Sequence, residues 1–338
     1  MILTISDIAK LANVSKSAVS IALNNKTGVS DKTRERILGI VKKYNYNPNQ
    51  IAQSLVVKKT KSIGLIITEI DNPFFAKVMK GVYDTCSELG YTVLIGSSEL
   101  SPQKEKDIIE NFKSKRIDGF IISPLRGKGV DYQYLSNLLK ENFPFVMLRN
   151  IANYAINLVD IDNLKAAYEA VSYLIKCGHT EIVYLSGPQH SGHSMERLNG
   201  YRQALIDNGI RVRNEFVIEA GSDLAAGYQA GKKIIPSLKQ LPSAVFCYND
   251  LVAIGFINVL NEFKIEVPEK ISVMGFDNID FSQYIKTPLT TVNMPAYEIG
   301  KTASNLLIEQ ISYPNQFLNQ RIELEAKLIE RESCCKMK

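Results

Sequence analysis

Residues 4–46 read TISDIAKLANVSKSAVSIALNNKTGVSDKTRERILGIVKKYNY, and the order of capping and apolar positions in this stretch predicts three short helices. Thr4 followed three places later by Asp7 forms a capping box, in which each side chain satisfies a free amide of the first turn. Ile5, Ile8, Ala9 and Ala12 then line one face. After Asn13, Ser15 caps a second helix, Lys16 to Leu23, whose Ala18, Val19 and Ala22 recur at helical spacing. Asn24-Asn25-Lys26-Thr27-Gly28 is a loop by composition, and Ser30 opens a third helix with Ile37, Ile40, Val41 and Tyr44 at i, i+3, i+4 and i+7. Two helices joined by a very short turn, with a third closing their core, make the helix-turn-helix arrangement.

Charge separates this segment from the rest of the 338-residue chain. Up to position 61 eleven lysines and arginines face three acids, a net +8, whereas the remaining residues sum to −3. A basic module on a slightly acidic body is the footprint of a polyanion-binding arm. On charge alone a solvated lysine-rich surface accounts for the count equally well. Asn47-Pro48 reads as an N-cap followed by proline at the first helical position. Pro48 to Leu55 then has room for one or two turns, with Ile51, Ala52 and Leu55 on one side. Helices below about 12 residues are marginal alone in water, so this one needs something to hold it. Val56 to Lys61 reads as a charged tether without a helical face.

From Ser62 the pattern becomes strand, helix, strand. Apolar runs occur at Ile63 to Ile67, Tyr91 to Ile95, Gly119 to Ile122, Phe145 to Leu148, Ile182 to Leu185, Ala244 to Cys247 and Ile271 to Met274, with amphipathic stretches such as Phe74 to Leu89 between them. Short apolar strands alternating with helices imply parallel sheets buried on both faces. The length, and Val159 to Asn163 midway, favour an α/β core of two doubly wound parallel-sheet lobes. Ligands of open parallel sheets bind beyond the carboxyl ends of the strands. The candidates there are Asn72, Phe74 and Phe75 after the first strand, Arg149 after Leu148, Asn249 and Asp250 after Cys247, and Asp277 after Phe276, joined by Arg197 beyond the Ser186-Gly187-Pro188 loop. Aromatic faces, guanidinium forks, amides and carboxylates suit a polyhydroxylated ligand. Taken singly, each has a plainer role: core packing for the phenylalanines, pairing with acids for the arginines, helix capping for Asp250.

Signs of catalysis are weak. The chain lacks the phosphate-binding glycine loops, the G-x-S-x-G elbow and the H-E-x-x-H zinc motif, so no enzyme, catalytic residue or cofactor is expected. His179, His190 and His193 have no cysteine or carboxylate at ligand spacing, and no metal site is expected. Five cysteines at irregular spacings, without a C-x-x-C pair, read as free thiols. No window reaches the roughly 18 apolar residues that span a bilayer, and the start resembles no signal peptide, so a cytoplasmic protein without membrane contact is expected.

With these residues in hand, the chain resembles the LacI/GalR family of transcription regulators over essentially its whole length. The resemblance rests on Thr4 to Ser15, Val19-Ser20, Leu23-Asn24, Val29-Ser30, Thr33-Arg34 and Tyr46-Asn47-Pro48-Asn49, a specific combination of residue types at fixed spacing. Asn72-Pro73-Phe74-Phe75, Gly178-His179, Asn249 to Gly255 and Gly275-Phe276-Asp277 are similar to the family's sensor domain and to periplasmic sugar-binding proteins. It implies an all-α helix-turn-helix headpiece at 1–47, a hinge helix and linker at 48–61, and a periplasmic-binding-protein-like core at 62–338. Within the core, one lobe takes about 62–162 and 293–325, the other about 163–292 and 326–333, with helix Ala296 to Ile311 returning to the first.

The resemblance also implies roles. Lys16, Ser17 and Ile21 would discriminate bases from the second helix in the major groove. Ile21 departs from relatives that carry arginine there, which puts an operator borrowed from a relative in doubt. Ser15, Ser20, Asn24, Asn25, Ser30, Thr33 and Arg34 would position the DNA backbone, and Thr4, Tyr46 and Asn49 would also contact DNA. Ala52, Gln53 and the wedge Leu55 would enter the minor groove once two copies meet on a pseudo-palindromic operator. Asn72, Phe74, Phe75, Arg149, His193, Arg197, Asn249, Asp277 and Asn293 would hold a small effector, a sugar or sugar derivative, between the lobes of a homodimeric repressor. Three other readings stand beside this one: a catabolite-control regulator governed by a phosphorylated carrier protein, a solute-binding protein, which would leave the first 61 residues without a purpose, and an enzyme on the same fold.

Overall fold

The computed structural model describes residues 3–46, 59–126, 130–151, 155–188, 191, 193–237, 241–314 and 318–337. It divides into two compact units, Met1–Thr60 and Lys61–Lys338. In the first, helices α1 (Ile5–Ala12), α2 (Lys16–Leu23) and α3 (Asp31–Lys43) follow the pattern expected from the sequence. Asn13, left-handed at φ 52°, ends α1 and sets the tight turn, and the Ser15 and Ser30 hydroxyls accept the amides of Ala18 and Thr33 at the next two helix starts. Ile8, Ala9, Ala12, Val19, Ala22 and Ile37 form the small core. One expectation is corrected: Tyr44, assigned by spacing to the apolar face of α3, is 45% exposed. The helix stops at Lys43, Asn45 turns the chain at φ 46°, and Tyr46 folds back instead, its amide on the Val41 carbonyl at 2.9 Å and its ring against the core.

In the second unit the chain alternates as β1 (Ser62–Ile67), α4 (Pro73–Glu88), β2 (Thr92–Ser97), α5 (Pro102–Ser114), β3 (Gly119–Ile122), α6 (Gln133–Lys140), β4 (Phe145–Met147) and β5 (Asn157–Asp160). Then come α7 (Asn163–Lys176), β6 (Ile182–Ser186), α8 (Ser194–Asp207), β7 (Val217–Glu219), α9 (Leu224–Ile234), β8 (Ala244–Cys247), α10 (Asp250–Glu262) and β9 (Ser272–Met274). The last elements are β10 (Thr291–Asn293), α11 (Ala296–Ser312), β11 (Arg321–Glu323) and β12 (Lys327–Ile329). Two wholly parallel sheets result, in the orders β11-β5-β4-β3-β1-β2 and β7-β6-β8-β9, and β10 pairs antiparallel with β12.

The alternation of side chains across a strand sorts the core into layers. Ile63, Leu65 and Ile67 of β1, with Ile121 of β3 and Val146 of β4, face the cluster built by α4 and α11. Ile66, Phe120, Ile122, Phe145 and Met147 face the cluster of α5 and α6. In the second sheet Tyr184, Phe246 and Met274 face α7 and α8, while Val183, Leu185, Val245 and Val273 pack under α9 and α10. Both faces of both sheets are covered, as a doubly wound core requires. The stretch at Val159, read from the sequence as a midpoint between lobes, contains strand β5, and Asp162 caps the helix that follows it. The final residues, polar by composition, run against the second sheet: Ser333 is fully buried, its carbonyl accepting the Val273 amide at 2.8 Å.

Candidate functional site

On the headpiece, Val19 and Ala22 turn one face of α2 inward, which leaves Lys16, Ser17 and Ser20 exposed on the other. Ile21 is half-buried, its Cδ1 close enough to Gly28 to touch a Cβ built there. Arg34 is occupied within the fold, donating to the carbonyls of Ala22 at 3.2 Å and of Lys26, and so ties α3 to the end of α2 and the loop after it. Asn24 donates to the Ser20 carbonyl at 2.8 Å. Ser30 and Thr33 share a hydrogen bond at 2.9 Å, and Thr4 donates through both amide and hydroxyl to Asp7, whose carboxyl those bonds hold below its usual range. Asn25 is exposed. Asn49, Ala52, Gln53 and Leu55 lie outside the described residues.

In the core, the ends of the strands enclose a cavity. Eight of the nine candidate ligand residues line it: Asn72, Phe74, Phe75, Arg149, His193, Arg197, Asn249 and Asp277. Asn293 does not; it accepts from Asn278 at 2.9 Å. Asp250 is also elsewhere, fully buried and accepting from the Thr291 hydroxyl and the Ile279 amide, while Asn249 caps α10. Phe74 and Phe75, edge to face at 5.2 Å, are placed by the Asn72 cap at the start of α4. Arg197, in the first turn of α8, lies 3.7 Å from the centre of the Phe276 ring. It donates through Nε to Asn163, through Nη1 to the Tyr248 carbonyl and through Nη2 to Asp277 at 3.4 Å. Burial raises the Asp277 carboxyl to about 6, although Arg197 pulls it down.

Thr68, Glu69, Ser123, Pro124, Ser191 and Tyr248 complete the lining and were not foreseen. Five of them could have been: Thr68 and Glu69 follow β1, Ser123 and Pro124 follow β3, and Tyr248 follows β8, all beyond strand carboxyl ends. Glu69 accepts from the Ser222 hydroxyl, and burial raises its carboxyl above the usual range. Contacts bridge residues of the two sheets around the cavity: Arg126 donates to Glu196 at 2.7 Å, Arg149 meets His193, and Lys77 pairs with Asp280 at 2.7 Å. Among the described residues, no cluster of histidine, cysteine and carboxylate side chains could hold a metal ion, and no helix is long and apolar enough to cross a membrane.

Comparison with known proteins bears on both sites. Residues 4–49 match bacterial regulatory proteins of the lacI family, and residues 171–334 match the periplasmic binding protein-like domain. The HTH-type transcriptional repressor PurR of Photobacterium profundum is 33% identical over 333 residues, covering 98% of each chain. The lac repressor dimer, bound to operator and the anti-inducer ONPF, superposes with a TM-score of 0.88 at 25% identity, over 99% of this chain and 100% of the other. The transcriptional regulator CelR in complex with cellobiose gives 0.72 at 27% identity, over 98% and 99%. Full-length identity to a repressor and a helix-turn-helix headpiece joined to two parallel sheets lead to one assignment: the chain belongs to the lacI family of bacterial transcription regulators.

Proposed function

We propose that this chain is a homodimeric, cytoplasmic repressor that binds a pseudo-palindromic operator through its headpiece and is controlled by a small sugar or sugar derivative held in the core cavity. One observation carries the reading: a single chain joins a helix that presents Lys16, Ser17 and Ser20 outward to a core whose cavity gathers two phenylalanines, two buried arginines and several amides and hydroxyls. In this reading residues 1–47 are the headpiece and 48–61 the hinge. The lobes are 62–162 with 293–325, and 163–292 with 326–333. Lysine and serine on the exposed face of α2 donate to base edges, and the half-buried Ile21 offers an apolar contact to a thymine methyl. The likeness to the CelR–cellobiose complex supports a carbohydrate ligand, and the enclosed cavity favours a small effector over a carrier protein.

Ligand control requires that the ligand bind the DNA-competent and DNA-incompetent states with different affinity. The test is a thermal-shift screen of sugars and sugar phosphates, followed by titration of operator affinity against each hit. Operator affinity is expected to change by about ten-fold or more, a coupling of ordinary size. Hits that stabilise the protein yet leave operator affinity unchanged overturn ligand control.

A further inference from the structure

The two arginines of the cavity differ in what they still have to give. Every nitrogen of Arg197 already donates, to Asn163, Tyr248, Asp277 and the Met294 sulfur. Arg149 is as deeply buried, at 1% exposed, but its Nη1 has no hydrogen-bond partner, the nearest carboxylate oxygen being Glu196 Oε2 at 3.6 Å. The acids near it also serve other donors, and Glu196 reaches Arg149 only as an ion pair at 3.6 Å. Glu196 accepts from Arg126 at 2.7 Å, and Asp160 accepts the amides of Ile161 at 2.8 Å and Asn150 at 3.4 Å. Asp277 and Glu69, which also line the cavity, are held by Arg197 and Ser222.

Arg149 Nη2 contacts His193 Nε2. A guanidinium only donates, so Nε2 accepts and the imidazole proton sits on Nδ1. That Nδ1 is buried and also lacks a partner. His193 is in turn the N-cap residue of α8, whose first turn receives no side-chain cap and therefore presents the positive end of the helix dipole. Buried donors without acceptors are rare in folded proteins, and a buried guanidinium with a free amino group matches an oxygen of an oxyanion, while the imidazole N–H on the far side of the ring is a second, separate donor.

We infer that the ligand carries an anionic group, a phosphate or a carboxylate, seated on Arg149 Nη1, with His193 Nδ1 donating to another oxygen of the same ligand. The phenylalanines and the remaining polar lining take the rest of the molecule. The ligand class is thus an acidic or phosphorylated sugar, an inference that rests on the cavity being the ligand site.

The test uses the full chain and simple probes first. Thermal unfolding is followed in chloride, inorganic phosphate, sulfate and acetate at one ionic strength, for the wild type, Arg149→Gln and Arg149→Lys. Phosphate or acetate is expected to give a saturable rise in Tm for the wild type that Arg149→Gln abolishes and Arg149→Lys keeps in part, which also shows that the pocket still folds. Because the basic headpiece attracts anions too, a rise that survives in Arg149→Gln overturns the inference, as does no rise at all. Calorimetry then compares glucose 6-phosphate, ribose 5-phosphate and glucuronate with their neutral parents. At least one anionic member is expected to bind about ten-fold or more tightly than its parent, equivalent to one charge-assisted contact, and to lose that advantage in Arg149→Gln. A phosphate-only gain identifies a sugar phosphate and a glucuronate-only gain a sugar acid. Parents that bind as well as their anionic partners overturn the inference but leave the cavity as a ligand site, and operator binding in the same samples reports separately on the regulator.

Discussion

Arg197 shows how a residue proposed for binding can also be a structural one. It lies between the rings of Phe276 and Tyr248, 2% exposed, and is the cationic partner of a buried Asp277. Arg197→Ala leaves that carboxylate without its cation, and breaking one side of a buried ion pair costs about 3–5 kcal/mol. Urea unfolding should show a loss of that size, and a loss below about 1 kcal/mol would mean the pair contributes little. Glu105 makes the opposite case, a buried acid with no cation bonded to it among the described residues. It accepts from the Leu125 amide and the Tyr134 hydroxyl, and burial raises its carboxyl to about 7 from an ordinary 4.5. The folded state therefore holds this proton in a range where the unfolded chain has lost it. Its contribution to stability is complete below pH 4.5 and disappears as pH rises through 7. Glu105→Gln, measured by urea unfolding at pH 5 and pH 8, should flatten that part of the pH dependence by about 2–3 kcal/mol; an unaltered slope contradicts the assignment. At this scale the cavity was legible because its chemistry follows strand ends. Glu69 and Tyr248 carry the same signal, standing one or two residues beyond the ends of β1 and β8. Glu105 left no mark in the sequence at all, since an acid in an amphipathic helix reads as solvent-facing.

Helices of the core cross where there is no room for a side chain. A Cβ on Gly81 of α4 would lie 2.1 Å from the Tyr297 carbonyl, and one on Gly300 of α11 would lie 2.2 Å from that of Val78. The two glycines let the helices meet backbone to backbone over the first sheet. Gly81→Ala forces them apart and should lower stability by about 1–3 kcal/mol, read as a fall in the urea midpoint; an unchanged midpoint would show the crossing to be slack. Strands were legible in proportion to their burial. β1, β3, β6 and β8 are continuous apolar runs because both faces are covered, whereas β7, β11 and β12 are three residues long, only partly buried and carry Glu219, Arg321, Glu323 and Lys327, so no periodicity rises above the surrounding loop. The headpiece helices were legible from their caps, except at the end of α3, where only the left-handed Asn45 reveals that Tyr46 and not Tyr44 turns inward.

Across the whole chain, the division of labour follows the charge. The segment to position 61 holds a net +8 and the rest −3, so electrostatic attraction to duplex DNA is concentrated on the unit that carries α2. Phosphate attraction alone is indifferent to sequence, so on the proposed reading base contacts from Lys16, Ser17 and Ile21 supply the preference. The direct measurement is competition anisotropy at one fixed salt concentration, comparing a palindromic duplex selected from a random library with a scrambled duplex, for the wild type and for Lys16→Ala. The selected duplex should bind at least about 10³-fold more tightly, with much of that margin lost in Lys16→Ala. Equal affinity for selected and scrambled duplexes would contradict the account at its centre.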